Sequence, residues 1–383
     1  MKIVCIAASF VPSNTANSIQ VMKATHALAA LGHSVTLLVP GEGRADWNSL
    51  QGFYGLRNRF EVEWFPENLT FRRYDYAFKA VRHARQLAPD LVYTWVLQAA
   101  VLTLGRGIPT VLELHDRVTG RMGPWLFKRF WGSKTAHRLL TNTAALQKVL
   151  TDEFALSPQP EQVMVAPNGV ELDRYQGSAS PEEAREALGL RQGFTAGYTG
   201  HFYPGRGIPL MLALAKLLPE MQFLWVGGQP VDVALWREKL IHEGVNNVIL
   251  TGFVENADLP KYQAAADVLL MPYGTRIEGS GGGNSAEIAS PMKMFEYMAS
   301  GRPIISSDLP VIREVLNERT AVFCPSDDLQ AWKAALLSLE KDRDKREVMA
   351  QAARAAVQAY TWQAREERAI SGFVNDREMD ELK

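Results

Sequence analysis

Lys293 and Glu296 stand three residues apart in the segment Ser290-Pro-Met-Lys-Met-Phe-Glu-Tyr-Met-Ala-Ser-Gly-Arg-Pro303. The residue types predict a short helix. Ser290 is a good N-cap, Pro291 suits the first helical position, Gly301 stops the helix and Pro303 opens a strand. The preceding loop, residues 279–290, holds four glycines. Backbone N–H groups at a helix start bind phosphate, which makes Ser290 and Met292 binding candidates. A cation in the first turn opposes the helix dipole, so Lys293 there either meets an anion or is solvated. Glu296 shares its face and could accept hydrogen bonds from vicinal hydroxyls such as those of a ribose. A solvated Lys–Glu pair on an amphipathic helix is the plain alternative, and these residues alone leave both open.

A second candidate is Tyr198-Thr-Gly-His-Phe-Tyr-Pro-Gly-Arg-Gly207. Gly200, Gly205 and Gly207 permit close backbone approach to a ligand. Arg206 can give two hydrogen bonds to phosphate oxygens, and His201 can add a donor. The loop follows a predicted strand, where mononucleotide folds hold phosphate; an ordinary surface turn is the alternative. The third candidate is His115 in Glu113-Leu-His-Asp116, at the end of another predicted strand, although a lone histidine is more often structural. The fourth is the loop at residues 10–18, where Asn14 and Asn17 could hydrogen-bond a sugar or acceptor; turn formers are expected there in any case. No GxSxG, Walker lysine or HExxH is present.

These segments need a frame. Residues 2–8 read as a strand, 18–31 as a helix ended by Gly32, and 34–39 as a strand, which is a parallel βαβ unit. Apolar runs at 90–94, 109–114, 138–142 and 163–166 continue the series. A polar bridge at 171–180 leads to Ser180-Pro-Glu-Glu183, a capping box that opens a helix over 181–188. A second α/β series has strands at 195–199, 222–226, 247–251, 268–271 and 303–306. Residues 329–359 form the longest helical pattern. The reading is two doubly wound parallel-sheet domains with the ligand outside the carboxyl ends of the strands. The expected division is 1–170, a linker at 171–192, a second domain at 193–359, and a final helix at 360–383.

The 383 residues suffice for two such domains. An apolar content of 47 % and a charged content of 22 % fit a globular chain. The net charge of −1 argues against a nucleic-acid partner. The two cysteines, Cys5 and Cys324, have neither zinc nor disulfide spacing. With no signal-like start and no 18-residue apolar window, a cytoplasmic location is expected.

Taken together, the motifs resemble the family-four group of retaining glycosyltransferases, related to bacterial polysaccharide and lipopolysaccharide enzymes. The resemblance runs through Ala16-Asn-Ser-Ile-Gln-Val-Met22, Leu31-Gly-His33, Pro167-Asn-Gly-Val170, Tyr198-Thr-Gly200, Arg206-Gly207, Thr251-Gly-Phe253, Ala266-Asp267, Met271-Pro-Tyr273, residues 290–303 and Tyr360-Thr-Trp362. It implies the GT-B fold, two Rossmann-like domains facing a cleft, with the acceptor on the first, a nucleotide-diphosphate sugar on the second, and the final helix crossing back to the first at Tyr360-Thr-Trp362. Glu296 then matches the carboxylate that holds the ribose, and Arg206 the cation at the diphosphate. His201 falls where many members have an arginine, and His115 resembles the histidine near the transferred sugar. Many members carry a glutamate eight residues before Glu296, where this chain has Ile288; Lys293 then sits near the pyrophosphate. The leaving diphosphate itself would help deprotonate the acceptor hydroxyl, with no metal or other cofactor required. A GT-B nucleotide-sugar epimerase and a non-catalytic nucleotide-sugar binder are the competing readings.

The acceptor would be a glycan or a lipid-linked sugar. Two basic, aromatic stretches, Phe71-Arg-Arg-Tyr74 onward and Trp125-Leu-Phe-Lys-Arg-Phe-Trp131, suit reversible docking on the inner face of a membrane. The alternative is that Trp125, Phe127, Phe130 and Trp131 are partly core.

Overall fold

The computed structural model describes residues 1–68, 74–159, 161–276 and 286–373. Phe71, Arg72, Arg73 and the glycine-rich residues 279–285 lie outside these. The chain divides into two compact units, Met1–Asn168 with the described residues from Trp362 on, and Gly169–Thr361. Each is a wholly parallel sheet wrapped by helices, as expected. Residues 171–192 are not a free linker. They carry a 3₁₀ turn, Leu172–Tyr175, and a capped helix, and they belong to the second unit.

The first unit contains β1 (Lys2–Ile6), α1 (Ala16–Ala30), β2 (Ser34–Pro40), α2 (Trp47–Tyr54), β3 (Glu61–Phe65), α3 (Tyr74–Gln86), β4 (Leu91–Thr94), α4 (Leu97–Leu104), β5 (Thr110–Leu114), α5 (Gly123–Trp131), β6 (His137–Thr141), α6 (Ala144–Phe154) and β7 (Val163–Val165). The strand order is β3-β2-β1-β4-β5-β6-β7. Strand periodicity sorts the core. Ile3 and Cys5 face the cluster of α1 residues Val21, Met22 and Leu28, while Val4 and Ile6 face Tyr76, Ala80 and Val81 of α3. Strand β3 is half exposed and alternates charge with apolar residues, which hides it in the sequence. In α5, Leu126, Phe127 and Phe130 are core, whereas Trp125 is 53 % exposed under the Arg129 guanidinium.

The second unit contains α7 (Pro181–Ala187), β8 (Thr195–Thr199), α8 (Ile208–Leu217), β9 (Gln222–Val226), α9 (Pro230–His242), β10 (Val248–Gly252), α10 (Leu259–Ala264), β11 (Val268–Met271), α11 (Met292–Ser300), β12 (Ile304–Ser307), α12 (Pro310–Arg313), β13 (Ala321–Cys324), α13 (Leu329–Lys341) and α14 (Arg343–Ala356). Its strand order is β10-β9-β8-β11-β12-β13. On β9, Phe223 and Trp225 pack into one core and Leu224 and Val226 into the other. The single helical pattern at 329–359 is divided. Asp342 ends α13 in extended backbone, and its carboxylate accepts from the Lys345 N–H to cap α14.

The last helix, α15 (Trp362–Ile370), packs on α1 within the first unit. Its Arg365 is buried and donates to the carbonyls of Pro167 (2.9 Å) and Ala166 (3.1 Å) and to the Tyr93 hydroxyl (3.2 Å). It also pairs with Glu113 and Glu366. Arg138 donates to the carbonyl of Ala369 at 2.8 Å, holding the helix end. One Glu366 oxygen meets Arg365, and the other has no hydrogen-bond partner among the described residues. Burial raises the Glu366 carboxyl to about 7; Arg365 opposes the rise and Glu113 adds to it.

A carboxyl that holds its proton more tightly folded than unfolded stabilises at low pH. That contribution is complete below the ordinary glutamate range and is lost as pH rises through about 7. The melting temperature of the wild type should therefore fall more steeply between about pH 5 and about pH 8 than that of Glu366→Gln. Parallel melting curves for the two proteins against pH would contradict this.

Candidate active site

In a doubly wound sheet, loops diverge at the switch point, and ligands bind outside the carboxyl ends of the strands there. In the second unit that point lies between β8 and β11. Strand β8 runs into Gly200, at φ +139°. The loop that follows packs on backbone beyond β11: the Gly274 N–H donates to the Gly205 carbonyl at 2.9 Å. Gly207 has φ +76°, and a Cβ there would lie 1.9 Å from the Pro272 carbonyl oxygen. Only glycine fits that approach.

Lys293 enters this place from the first turn of α11. Its Nζ is buried and has no hydrogen-bond partner among the described residues. It lies 3.8 Å from the centroid of the Tyr198 ring and 5.6 Å from that of Tyr273. A Cβ on Gly200 would come within 2.7 Å of it. The Arg206 guanidinium lies 5.2 Å from the Tyr273 centroid. Burial first, and then the charge of Arg206, lower the proton affinity of Lys293 well below that of an ordinary lysine; Glu296 opposes them. Ring faces attract a cation but do not replace the hydrogen bonds an ammonium makes in water.

Glu296 stands one turn further on. Its Oε2 accepts from Gln263 Nε2 at 3.4 Å, and the same amide reaches Thr199 Oγ1 at 3.4 Å. Gln263 Oε1 in turn accepts from the Tyr175 hydroxyl at 3.0 Å. The Tyr297 hydroxyl accepts from the Thr199 N–H at 2.8 Å, which pins α11 to the end of β8. Gly200, Arg206, Lys293 and Glu296 are thereby gathered at one end of the sheet. His201 is beside them. Its carbonyl accepts from the Tyr198 hydroxyl at 2.7 Å, and its ring stacks on Tyr203.

Ser290 is not the cap of α11. The helix begins at Met292, with Pro291 in extended backbone as its N-cap, and no side chain caps it. A residue before proline is steered away from helical angles, and Ser290 is buried. Ile288 is 2 % exposed, a core residue.

His115 belongs to the first unit. Its Nε2 lies 2.6 Å from Glu113 Oε1. Glu113 is buried and also accepts from Gln20 Nε2 (2.9 Å), Tyr93 and Arg365. Burial disfavours its ionisation, but Arg365 and His115 outweigh it and hold the carboxyl below the usual range. Asn17 is exposed in the first turn of α1, and Asn14 is half-buried in the loop before it. That loop is fixed by Tyr54, whose hydroxyl meets the Ser13 N–H (2.8 Å) and Ser18 Oγ (2.6 Å).

The sequence reading assigned no part to Tyr198, Tyr273, Gln263 or Arg365. Glu113, at the end of β5, was given no role, although it lies only two residues before His115.

Two Rossmann-like parallel-sheet units in one chain are the GT-B architecture of glycosyltransferases. HepE of Anabaena, solved in complex with UDP-glucose, shares the fold over 96 % of this chain and 98 % of its own, at 18 % identity and a TM-score of 0.71. A family model described as Glycosyltransferase Family 4 matches residues 18–174, and one described as Glycosyl transferases group 1 matches residues 193–342. The chain belongs to this family of glycosyltransferases. It is 22 % identical over 306 residues to the sulfoquinovosyl transferase SQD2 of Arabidopsis thaliana, covering 75 % of this chain and 56 % of that one. It is 29 % identical over 212 residues to the GDP-mannose-dependent monoacylated alpha-(1-6)-phosphatidylinositol monomannoside mannosyltransferase of Corynebacterium glutamicum, covering 53 % of each. The chain thus spans about half the length of these curated relatives.

The approach at Gly207 yields a stability test. Gly207→Ala must leave a left-handed backbone or push against the Pro272 carbonyl, at a cost of about 2 kcal/mol or more. Chemical denaturation should show that loss, and an unchanged midpoint would refute the packing described.

Proposed function

We propose that this chain is a retaining glycosyltransferase that moves a sugar from a nucleoside-diphosphate sugar to a hydroxyl acceptor. The observation that carries the reading is the buried Lys293 Nζ without an acceptor, beside Arg206 and the uncapped start of α11. A diphosphate supplies the oxygens those groups lack. Glu296 takes the ribose hydroxyls, and Gly200, His201, Gly205, Ser290 and Met292 line the nucleotide. On the first unit, His115, oriented by Glu113, hydrogen-bonds a sugar hydroxyl, and Asn14 and Asn17 serve the acceptor side. Complexes of HepE with UDP and UDP-glucose, and the GDP-mannose dependence in the name of the corynebacterial relative, support a nucleotide-sugar donor.

In the reaction the acceptor oxygen bonds to the anomeric carbon as the carbon–oxygen bond to the diphosphate breaks. The bonding pair leaves with the nucleoside diphosphate, which takes the acceptor's proton. Departure and attack on the same face retain configuration. Arg206 and Lys293 stabilise the charge that grows on the diphosphate, so the reading asks for no metal or other cofactor.

A thermal-shift panel of nucleoside diphosphates and nucleotide sugars tests this. One nucleotide should raise the melting temperature. Glu296→Ala should weaken its binding by about tenfold or more. Arg206→Ala should lower turnover by roughly a hundredfold, more than it lowers donor affinity. If no nucleotide shifts melting, or Glu296→Ala binds as wild type, the reading fails. Binding of a nucleotide sugar with no release of nucleoside diphosphate would favour a non-catalytic binder.

We also propose that the protein docks reversibly on the anionic inner face of a membrane through Trp125, Lys128 and Arg129. Support comes from the exposed Trp125 beside Arg129, and from Phe78 of α3, 53 % exposed among basic residues. No helix among the described residues is long and apolar enough to cross a membrane. Co-sedimentation with anionic vesicles should be strong at low salt, weak at high salt, and reduced by Lys128→Ser with Arg129→Ser. Absence of binding at low salt would refute it.

A further inference from the structure

Every group packed against Lys293 Nζ bears on its charge. The Tyr198 and Tyr273 rings offer π faces, and Gly200 brings backbone close. Arg206, from the loop before α8, is a second cation. Glu296, from the same helix, is the one carboxylate among the described residues that acts on it, and Gln263 already bonds Glu296. Among the described residues no oxygen receives a hydrogen bond from Nζ. An ammonium so placed has lost water, gained a neighbour of like charge and found no acceptor. A neutral amine fits that place better. Arg206 offers no such adjustment, because a guanidinium stays charged.

We propose that the empty site holds Lys293 largely as the neutral amine, and that a bound diphosphate and a proton enter together. The inference rests on the diphosphate reading above. The proton comes from solvent, adds to the Nζ lone pair, and the resulting ammonium donates to the phosphate oxygens. The direction of the lysine's altered proton affinity agrees with this, burial being its first cause. An opposite charge at contact distance moves a titrating group by roughly one to three pH units. Diphosphate affinity therefore falls as pH rises, by up to about tenfold per pH unit where a whole proton is taken up. Release of the nucleoside diphosphate returns the proton to solvent.

Titration calorimetry with UDP, GDP and ADP at about pH 7.5 and about pH 8.5 tests this, since the terminal phosphate is already largely ionised there. Each titration is run in buffers of small and of large ionisation enthalpy, so that the dependence of observed heat on buffer counts protons. The wild type should take up a fraction of a proton per nucleotide bound in at least one of the two conditions. Lys293→Arg keeps the charge permanently and should bind with no uptake. Lys293→Met should bind more weakly, also with no uptake. Binding by the wild type without uptake at either pH overturns the proposal, and so does equal uptake in Lys293→Arg. If none of the three nucleotides binds the wild type, the diphosphate reading itself falls, and this proposal with it.

Discussion

Lys293 reaches the end of β8 because three things coincide there. Gly200 has no side chain to block the ammonium. Tyr198 presents a ring face 3.8 Å away. Tyr297, one turn after Lys293, bonds the Thr199 N–H and fixes the helix against the strand. A side chain at 200, or a slip of α11 by one residue, would move the cation out of the switch point. The neighbouring crest is as close-packed: a Cβ on Gly227, at the end of β9, would lie 2.3 Å from the Gly200 carbonyl oxygen. The loops above β8, β9 and β11 thus meet backbone to backbone, and what projects from them is chiefly cationic and aromatic.

Other buried cations in the chain are treated differently. Arg185 pairs with Asp267 at 2.7 Å and donates to the Ala265 carbonyl at 3.0 Å. Arg302 serves the carbonyls of Ala179 and Ala264, and Arg138 those of Glu161 and Ala369. Arg365 is surrounded by carboxylates, a hydroxyl and carbonyls. Removing one partner from such a set strands a charge, so these are structural fixtures. Lys293 stands apart because its partner is not supplied by the described protein. Among the described residues these buried cations are satisfied and Lys293 is not, and on the proposed reading that contrast carries more weight than burial alone.

Local chemistry was legible in the sequence and long-range pairing was not. The turn at Gly205 and Gly207 could be read because only glycine tolerates those angles and approaches. The capping box at Ser180 and Glu183 formed as its spacing implies. The same logic misplaced the start of α11, since Ser290 and Pro291 satisfy a cap pattern but Ser290 is drawn into the core. Glu113, Arg365 and Glu366 show no local pattern, because the bonds joining Arg365 to Glu113 and Tyr93 span most of the chain. The same holds for Gln263, which lies beside Glu296 only once α10 and α11 have packed. Strand β3 is half exposed and alternates charged with apolar residues, so it lacks the continuous apolar run of a central strand.

The absence of a glutamate at position 288 gains a physical reason from this arrangement. Ile288 is sealed in the core, where a carboxylate would be desolvated and would have to find a partner or a proton. Arg206 lies against the Tyr273 face, and burial with the charge of Arg206 lowers the proton affinity of Lys293. On the proposed reading, the site must stay positive enough to receive a diphosphate with only Glu296 opposing it. A second carboxylate would hold Lys293 charged even without a ligand and would repel the incoming phosphates. With isoleucine there, Lys293 stays responsive to the ligand on that reading.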